Sequence, residues 1–227
     1  MIQLNLSILF VGIATTILIA RGQKRAPKDE YGLGKTIFSS TFTHWNESLR
    51  KAKIIPDILS SEVPQPLTVV YFDDNVDFGT LLEYHRVDIH PVDLDWIPKE
   101  GVYYTVVMSD PDYPDPKRPV KKEYLHWMVT NMEDAFIKDG NNVAQYVPPF
   151  HFNGTCKGIH REVYVVYEQP KGKIEVDPAL YTPPDDLEYP ETRPFNRENF
   201  SSKAFVEKYN LKPLAANYFT FNMDFVE

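Results

Sequence analysis

Cysteine is nearly absent from this chain of 227 residues, which contains one, Cys156. One cysteine cannot form a disulfide within a chain, so its thiol either stays reduced or pairs with another chain. Glycine is also scarce, with 10 residues against 14 Tyr, 14 Phe and 19 Pro. This composition favours an aromatic-rich β protein of one domain with irregular connections, and it argues against a helical bundle.

The motifs of common enzyme classes are missing as well. The sequence has no G-x-S-x-G, H-E-x-x-H, C-x-x-C or P-loop pattern. We therefore predict a protein that is not an enzyme and that uses neither a cofactor nor a metal ion.

Basic residues are in the minority, with 24 Lys and Arg against 32 Asp and Glu, for a formal net charge of −8. A surface of that sign repels polyanions, so nucleic acid is a poor partner. We expect a monomer with a self-contained core.

The amino-terminal segment resembles a secretory signal. Residues 1–22 contain no acid and one base, and they enclose the apolar run Ile8–Ala20, which is shorter than the roughly 20 residues of a membrane-spanning helix. We predict a signal peptide over 1–22, a flexible lead-in over 23–40 and the folded domain over 41–227. The bases that follow the run leave an uncleaved anchor as the alternative.

Secretion also suits the three N-x-Ser/Thr triplets that lie beyond the predicted signal peptide. They begin at Asn46, Asn153 and Asn199, and each is a potential glycosylation site on a secreted surface.

Dense runs of Val, Tyr and Trp, bounded by Pro, Gly or Asp, predict the main strands. These runs are Pro66–Phe72, Gly101–Asp110, Tyr124–Met132 and Glu162–Gln169, with a last strand over Asn217–Met223. A short helix is predicted after Thr43 and is ended or kinked at Pro56, and a second helix is predicted after an Asn196 cap. The proline-rich stretch Lys171–Pro194 is predicted to be a loop.

Two histidines sit in or before these strands, His126 in "EYLHWM" and His160 in "GIHREV", and Asp110 and Asp112 end an intervening strand in "DPD". A histidine in an apolar strand is usually a satisfied core residue. Two of them near aspartates can instead hold a small anion, because imidazoles donate hydrogen bonds and a carboxylate orients an imidazole. Such binding should tighten as the pH falls from roughly 8 to 6, if both imidazoles gain charge at their reference pKa.

The segments "SDPDYP", "EYLHWMVTNM" and "GIHREVYVVYEQ" resemble the phosphatidylethanolamine-binding proteins, a family that includes the Raf kinase inhibitor protein and plant flowering-time regulators. The resemblance implies a mainly β fold, a β-sandwich with a large, antiparallel-rich central sheet and a few peripheral helices. It also implies a small pocket for phospholipid head groups or other phosphorylated molecules. Its residues here would be Asp110, Asp112, Pro114, His126, Gly158 and His160, with a cis Tyr113-Pro114 bond.

Several positions depart from the family pattern at this pocket, and Glu162 is the one that bears on an anion. Glu162 stands two positions after His160, where the family has a tyrosine, and a carboxylate facing inward would oppose a bound anion.

Two alternatives to a secreted ligand-binding protein remain open. The "EYLHW" strand and the "QYVPPFHFNGTCKGIHR" loop are also similar to the related subunit of the mitochondrial large ribosomal particle, which would make the protein a structural component in the mitochondrion. Some members of the family inhibit kinases or proteases, so inhibition is the second alternative.

Overall fold

The computed structural model describes residues 44–72, 74–149, 156–181 and 197–224. The predicted signal peptide and lead-in, and the predicted glycosylation site Asn153, lie outside these ranges. Within them, no helix has the length and apolar character that crossing a membrane requires.

Ten strands lie within the described residues and form two sheets. They are β1 (Gln65–Pro66), β2 (Thr68–Tyr71), β3 (Asp74–Asn75), β4 (Thr80–Leu82), β5 (Asp93–Asp95), β6 (Tyr103–Asp110), β7 (Tyr124–Met132), β8 (Asn141–Ala144), β9 (Ile159–Gln169) and β10 (Lys212–Asn222). The larger sheet has seven strands in the order β1-β10-β9-β6-β7-β8, with β4 also pairing with β10. Strands β1 and β4 run parallel to β10, and the other pairs of this sheet are antiparallel.

The central strands β6, β7 and β9 are buried almost throughout, and the nearly continuous apolar runs of β6 and β9 indicate this position. The side chains of β9 alternate between two cores. Tyr164 and Val166 belong to one apolar cluster, and Val163 and Val165 belong to the other. The large sheet is therefore covered on both faces.

Different elements cover the two faces. The small sheet, in the order β3-β2-β5, packs on the face of Tyr164 through residues such as Val69, Tyr71 and Leu94. Helices cover the opposite face with Leu49, Ile54 and Phe205. The predicted mainly β fold with a large antiparallel-rich sheet and peripheral helices is confirmed. The sandwich is unequal, because its second sheet consists of three short strands.

The described part of the chain contains four α-helices. They are α1 (Trp45–Lys51), α2 (Ile54–Asp57), α3 (Tyr84–Val87) and α4 (Ser202–Tyr209), and one-turn 3₁₀ helices cover Ile137–Asp139 and Pro178–Leu180. The kink predicted at Pro56 is present, since Ile55 leaves the helical region just before the proline.

The prediction for the last helix needs a correction. We expected the helix to begin after Asn196, but α4 begins after Ser201, whose hydroxyl accepts a hydrogen bond from Ala204 N at 3.2 Å. Serine and asparagine are about equally favoured at an N-cap, so the residue type does not decide between them. The N-cap is the residue at which the backbone enters the helix. Strand β10 also starts at Lys212, earlier than the predicted Asn217.

Candidate functional site

The candidate site begins with a buried pair at one end of the central sheet. Asp110 is the last residue of β6 and His160 is the second residue of the neighbouring β9. His160 Nδ1 lies 2.6 Å from Asp110 Oδ2, and both side chains are fully buried. Burial alone lowers the pKa of His160, but the hydrogen bond and charge of Asp110 outweigh that effect and raise it. His160 therefore serves to hold and orient the Asp110 carboxylate.

Asp112 is engaged by a residue that the sequence did not single out. The Arg161 guanidinium donates from Nε to Asp112 Oδ2 at 2.8 Å and from Nη2 to Oδ1 at 2.6 Å. Arg161 also donates to the carbonyl of Ala52 at 2.6 Å and to Asp57 at 3.1 Å. Asp112 is thus a structural anchor for the loop after β6, and its carboxylate is not open to a ligand.

The predicted wall residues join this loop to the segment before β9. The Tyr113-Pro114 bond is cis, as predicted. Pro114 O accepts a hydrogen bond from Lys157 N at 3.1 Å. Gly158 has a φ of +81°, which favours glycine, and its N–H donates to Asp224 Oδ1 at 2.9 Å. Pro114 and Gly158 therefore frame the site and do not contribute side-chain chemistry to it.

His126 reaches the site through a break in the pairing of β6 with β7. Met108 pairs with Trp127 and Ser109 pairs with Leu125, so His126 is the extra residue of a β-bulge. Its Nδ1 lies 2.7 Å from Val147 O, a distance at which the ring nitrogen donates to the carbonyl. The other ring nitrogen, Nε2, has no hydrogen-bond partner among the described residues.

Glu162 completes the group. It lies two residues after His160, so strand alternation places both side chains on the same face of β9. Its Oε2 is 3.4 Å from His126 Nε2, and neither carboxylate oxygen has a hydrogen-bond partner in the described part of the chain. Ligand atoms of Asp110, His126 and Glu162 all lie within 4.8 Å of one another.

Burial controls the charges in this cluster. It lowers the pKa of His126 to about 3, so the imidazole is neutral near pH 7. Burial, followed by the charges of Asp110 and Asp112, raises the pKa of Glu162 well above its ordinary value. The expectation that both imidazoles gain charge between about pH 8 and 6 is wrong for His126, because the protein interior does not solvate the charged form.

The potential glycosylation sites differ in their surroundings. The Asn46 amide is half-buried and donates from Nδ2 to Val63 O at 2.9 Å, so a glycan there would break a structural hydrogen bond. Asn199 is exposed and lies just before α4. Of the described candidates, Asn199 is the one suited to modification.

The structure brings together most of the residues that the sequence predicted. Asp110, His126 and His160 lie close together, whereas the Asp112 carboxylate is paired with Arg161. From the sequence, Glu162 was expected to oppose a bound anion and was not counted among the pocket residues. Its spacing of two from His160 within a strand was the available signal.

The comparisons with known proteins agree with this architecture. The family profile described as phosphatidylethanolamine-binding protein matches residues 85–219. The chain is 31% identical over 161 residues to Protein MOTHER of FT and TFL1 homolog 2 of Oryza sativa subsp. japonica, covering 70% of this chain and 82% of that protein.

Solved structures show the same fold at lower identity. Carboxypeptidase Y inhibitor, in the crystal structure of its complex with the cognate proteinase, matches with a TM-score of 0.60 and 22% identity, over 79% of this chain and 95% of that chain. A phosphatidylethanolamine-binding protein from Plasmodium vivax matches with a TM-score of 0.57 and 19% identity, over 78% and 96% of the respective chains.

Proposed function

The chain belongs to the phosphatidylethanolamine-binding protein family, and from that premise we propose that it is a non-enzymatic binding protein for a phospholipid head group or another phosphate-type anion. The observation that carries the proposal is the meeting of Asp110, His126 and His160 at one end of the central sheet. Buried polar atoms normally have partners. The unpartnered His126 Nε2 carries a lone pair, since Nδ1 donates to Val147 O, so a ligand would satisfy it with an N–H or O–H donor such as the ammonium group of phosphoethanolamine.

The ligand would have to reach a closed site. Asp110, His126, His160 and Glu162 are each no more than 1% exposed, so binding requires part of the covering chain to move. The exposed basic residues Lys117, Arg118, Lys121 and Lys122 lie in sequence between Asp112 and His126 and would attract an anion towards the site.

Glu162 is the residue that sets the affinity for an anion. At an effective dielectric constant of 20, a like charge about 4 Å away costs about 4 kcal/mol, and proton uptake and solvent reduce that cost. Glu162→Gln should therefore tighten the binding of phosphoethanolamine by at least about tenfold. His160→Ala removes the hydrogen bond that orients Asp110, and it should weaken the binding of phosphoethanolamine by roughly tenfold. Calorimetric titration of chelator-treated protein measures both changes.

The matched control is Glu168→Gln, which makes the same change on the same strand at the Lys99 ion pair, away from the site. It should leave the affinity unchanged. Vesicles with and without phosphatidylethanolamine distinguish a lipid head group from a free phosphate compound. If neither wild type nor Glu162→Gln binds phosphoethanolamine or the vesicles, the histidines are core residues and the proposal fails.

We also propose that the protein is exported, on the strength of the apolar, acid-free residues 1–22. Full-length protein expressed in a secreting eukaryotic cell should appear in the medium, begin at Gln23 and carry an N-glycan at the exposed Asn199. Mass spectrometry of the secreted chain measures both, and Asn199→Gln is the control for the glycan. Recovery of the protein with Met1 from cytosol, or with the mitochondrial large ribosomal subunit, would contradict export.

A further inference from the structure

The described residues contain one group of histidine and acidic side chains whose ligand atoms are close enough to share a metal ion. It consists of Asp110, His126 and Glu162, all of them buried. Exposed acidic groups often lie close together without a function. A buried group differs, because burial of a carboxylate without a partner is costly and has to be compensated.

His126 has the arrangement of a metal-ligating histidine. Its Nδ1 lies 2.7 Å from Val147 O, which fixes the proton on Nδ1 and leaves a lone pair on Nε2. Histidines that bind metals usually donate their second ring N–H to a backbone carbonyl or carboxylate in this way. The Nε2 atom, which has no hydrogen-bond partner among the described residues, points towards Glu162 at 3.4 Å.

Asp110 is oriented as a ligating carboxylate is. His160 Nδ1 lies 2.6 Å from its Oδ2, and Asp112 N donates to its Oδ1 at 2.7 Å. Each oxygen retains a lone pair, since a carboxylate oxygen accepts more than one hydrogen bond. Supporting hydrogen bonds of this type hold metal ligands in position.

Glu162 is the member of the group that lacks a partner. Both of its oxygens are without a hydrogen bond within the described ranges. The nearest guanidinium in sequence, that of Arg161, is committed to Asp112 and Asp57. A cation bound between Glu162, His126 and Asp110 would provide a counter-charge.

We propose that Asp110, His126 and Glu162 form a binding site for a divalent transition-metal cation, with Zn²⁺ as the best fit. Bonds of about 2.1 Å in a tetrahedral site separate the ligand atoms by about 3.4 Å, which equals the distance from His126 Nε2 to Glu162 Oε2. The widest separation between ligand atoms of the three residues, up to 4.8 Å, has to shorten by on the order of 1 Å when the ion binds. The imidazole favours Zn²⁺ over Mg²⁺ and Ca²⁺, which prefer oxygen ligands.

The metal site extends the proposed function without depending on it. Three protein ligands leave one tetrahedral position for water or for an anionic oxygen. A divalent cation would thus neutralise the carboxylates of Asp110 and Glu162 and offer its open position to a phosphate oxygen. Metal binding itself is measured in phosphate-free buffer, so it succeeds or fails separately from anion binding.

The test is titration of chelator-treated, full-length protein with Zn²⁺, and with Co²⁺ as a spectroscopic probe. Wild type should bind one Zn²⁺ per chain, and Co²⁺ should give the visible absorption of a four-coordinate site. Glu162→Gln should weaken Zn²⁺ binding by at least about 100-fold, since loss of a supporting residue alone weakens metal sites by 10- to 100-fold. In metal-free protein the same variant should bind phosphoethanolamine more tightly, so the two proposals predict opposite changes.

Exposed histidine–glutamate pairs provide the control. His44 with Glu47 and His85 with Glu83 lie 3.7 and 3.5 Å apart on the surface, where adventitious metal binding would occur. His44→Gln combined with His85→Gln should keep the tight site. Absence of Zn²⁺ binding to wild type, or binding that survives Glu162→Gln and disappears in the surface variant, would overturn the proposal. Circular dichroism verifies that Glu162→Gln is folded, and the Co²⁺ spectrum of wild type tests the site without any substitution.

Discussion

Replacing Arg161 with methionine should lower the free energy of unfolding by about 3 kcal/mol, because it leaves the buried Asp112 carboxylate without its counter-ion. In the folded protein the guanidinium donates to both oxygens of Asp112, at 2.8 and 2.6 Å. It also donates to Ala52 O and to Asp57, so the same side chain joins the loop after β6 to the first two helices. Chemical denaturation of wild type and variant measures the loss.

A double variant distinguishes the missing counter-ion from lost packing. Asp112→Asn combined with Arg161→Met removes both charges, and it should recover most of the stability because no buried ion is left uncompensated. A loss below about 1 kcal/mol in the single variant, the size found for exposed ion pairs, would show that water solvates Asp112 and would contradict the anchoring role.

Arg197→Met should cost about as much, roughly 3 to 5 kcal/mol, because it removes four hydrogen bonds to backbone carbonyl groups. Arg197 is 4% exposed, and burial lowers its pKa. Its guanidinium donates to the carbonyls of Leu125 at 3.0 Å, His126 at 3.1 Å, Gln145 at 3.0 Å and Tyr181 at 2.9 Å. One side chain thus joins β7 to the segments around β8 and the second 3₁₀ helix.

Two comparisons isolate the geometric role of Arg197. Arg197→Lys keeps the charge but has no planar fork of donors, so it should recover only part of the loss. Arg86→Met makes the same substitution at the exposed ion pair with Asp74, 3.2 Å apart, and it should change the stability by less than about 1 kcal/mol. Full recovery in Arg197→Lys would mean that charge alone matters and that the four carbonyl contacts do not.

The main strands could be predicted because their own sequences contain the dense runs of Val, Tyr and Trp that indicate a strand. β7 has the predicted bounds, and β6 and β9 differ from their predicted ranges by a few residues at one end. Short strands such as β3 and β8 were missed, since two to four residues without an apolar run give no periodic signal. Their pairing depends on neighbours that are distant in the chain.

The site was predicted in part for the same reason. The motifs around Asp110, His126 and His160 identified these residues, and the structure places them together. The role of Arg161 was missed, because its partners Asp112, Ala52 and Asp57 are 49 to 109 residues away along the chain. No local pattern indicates such contacts.

The sequence by itself determined the mainly β class, the family and the residues that meet at the end of the sheet, because these depend on local apolar runs and on short motifs. The tertiary structure decided what those residues do. The bulge that turns His126 inward, the capture of Asp112 by Arg161 and the unpartnered Glu162 carboxylate arise from strand register and burial. Register and burial are set by the whole sheet, and they decide which of these side chains are committed to partners and which have none among the described residues.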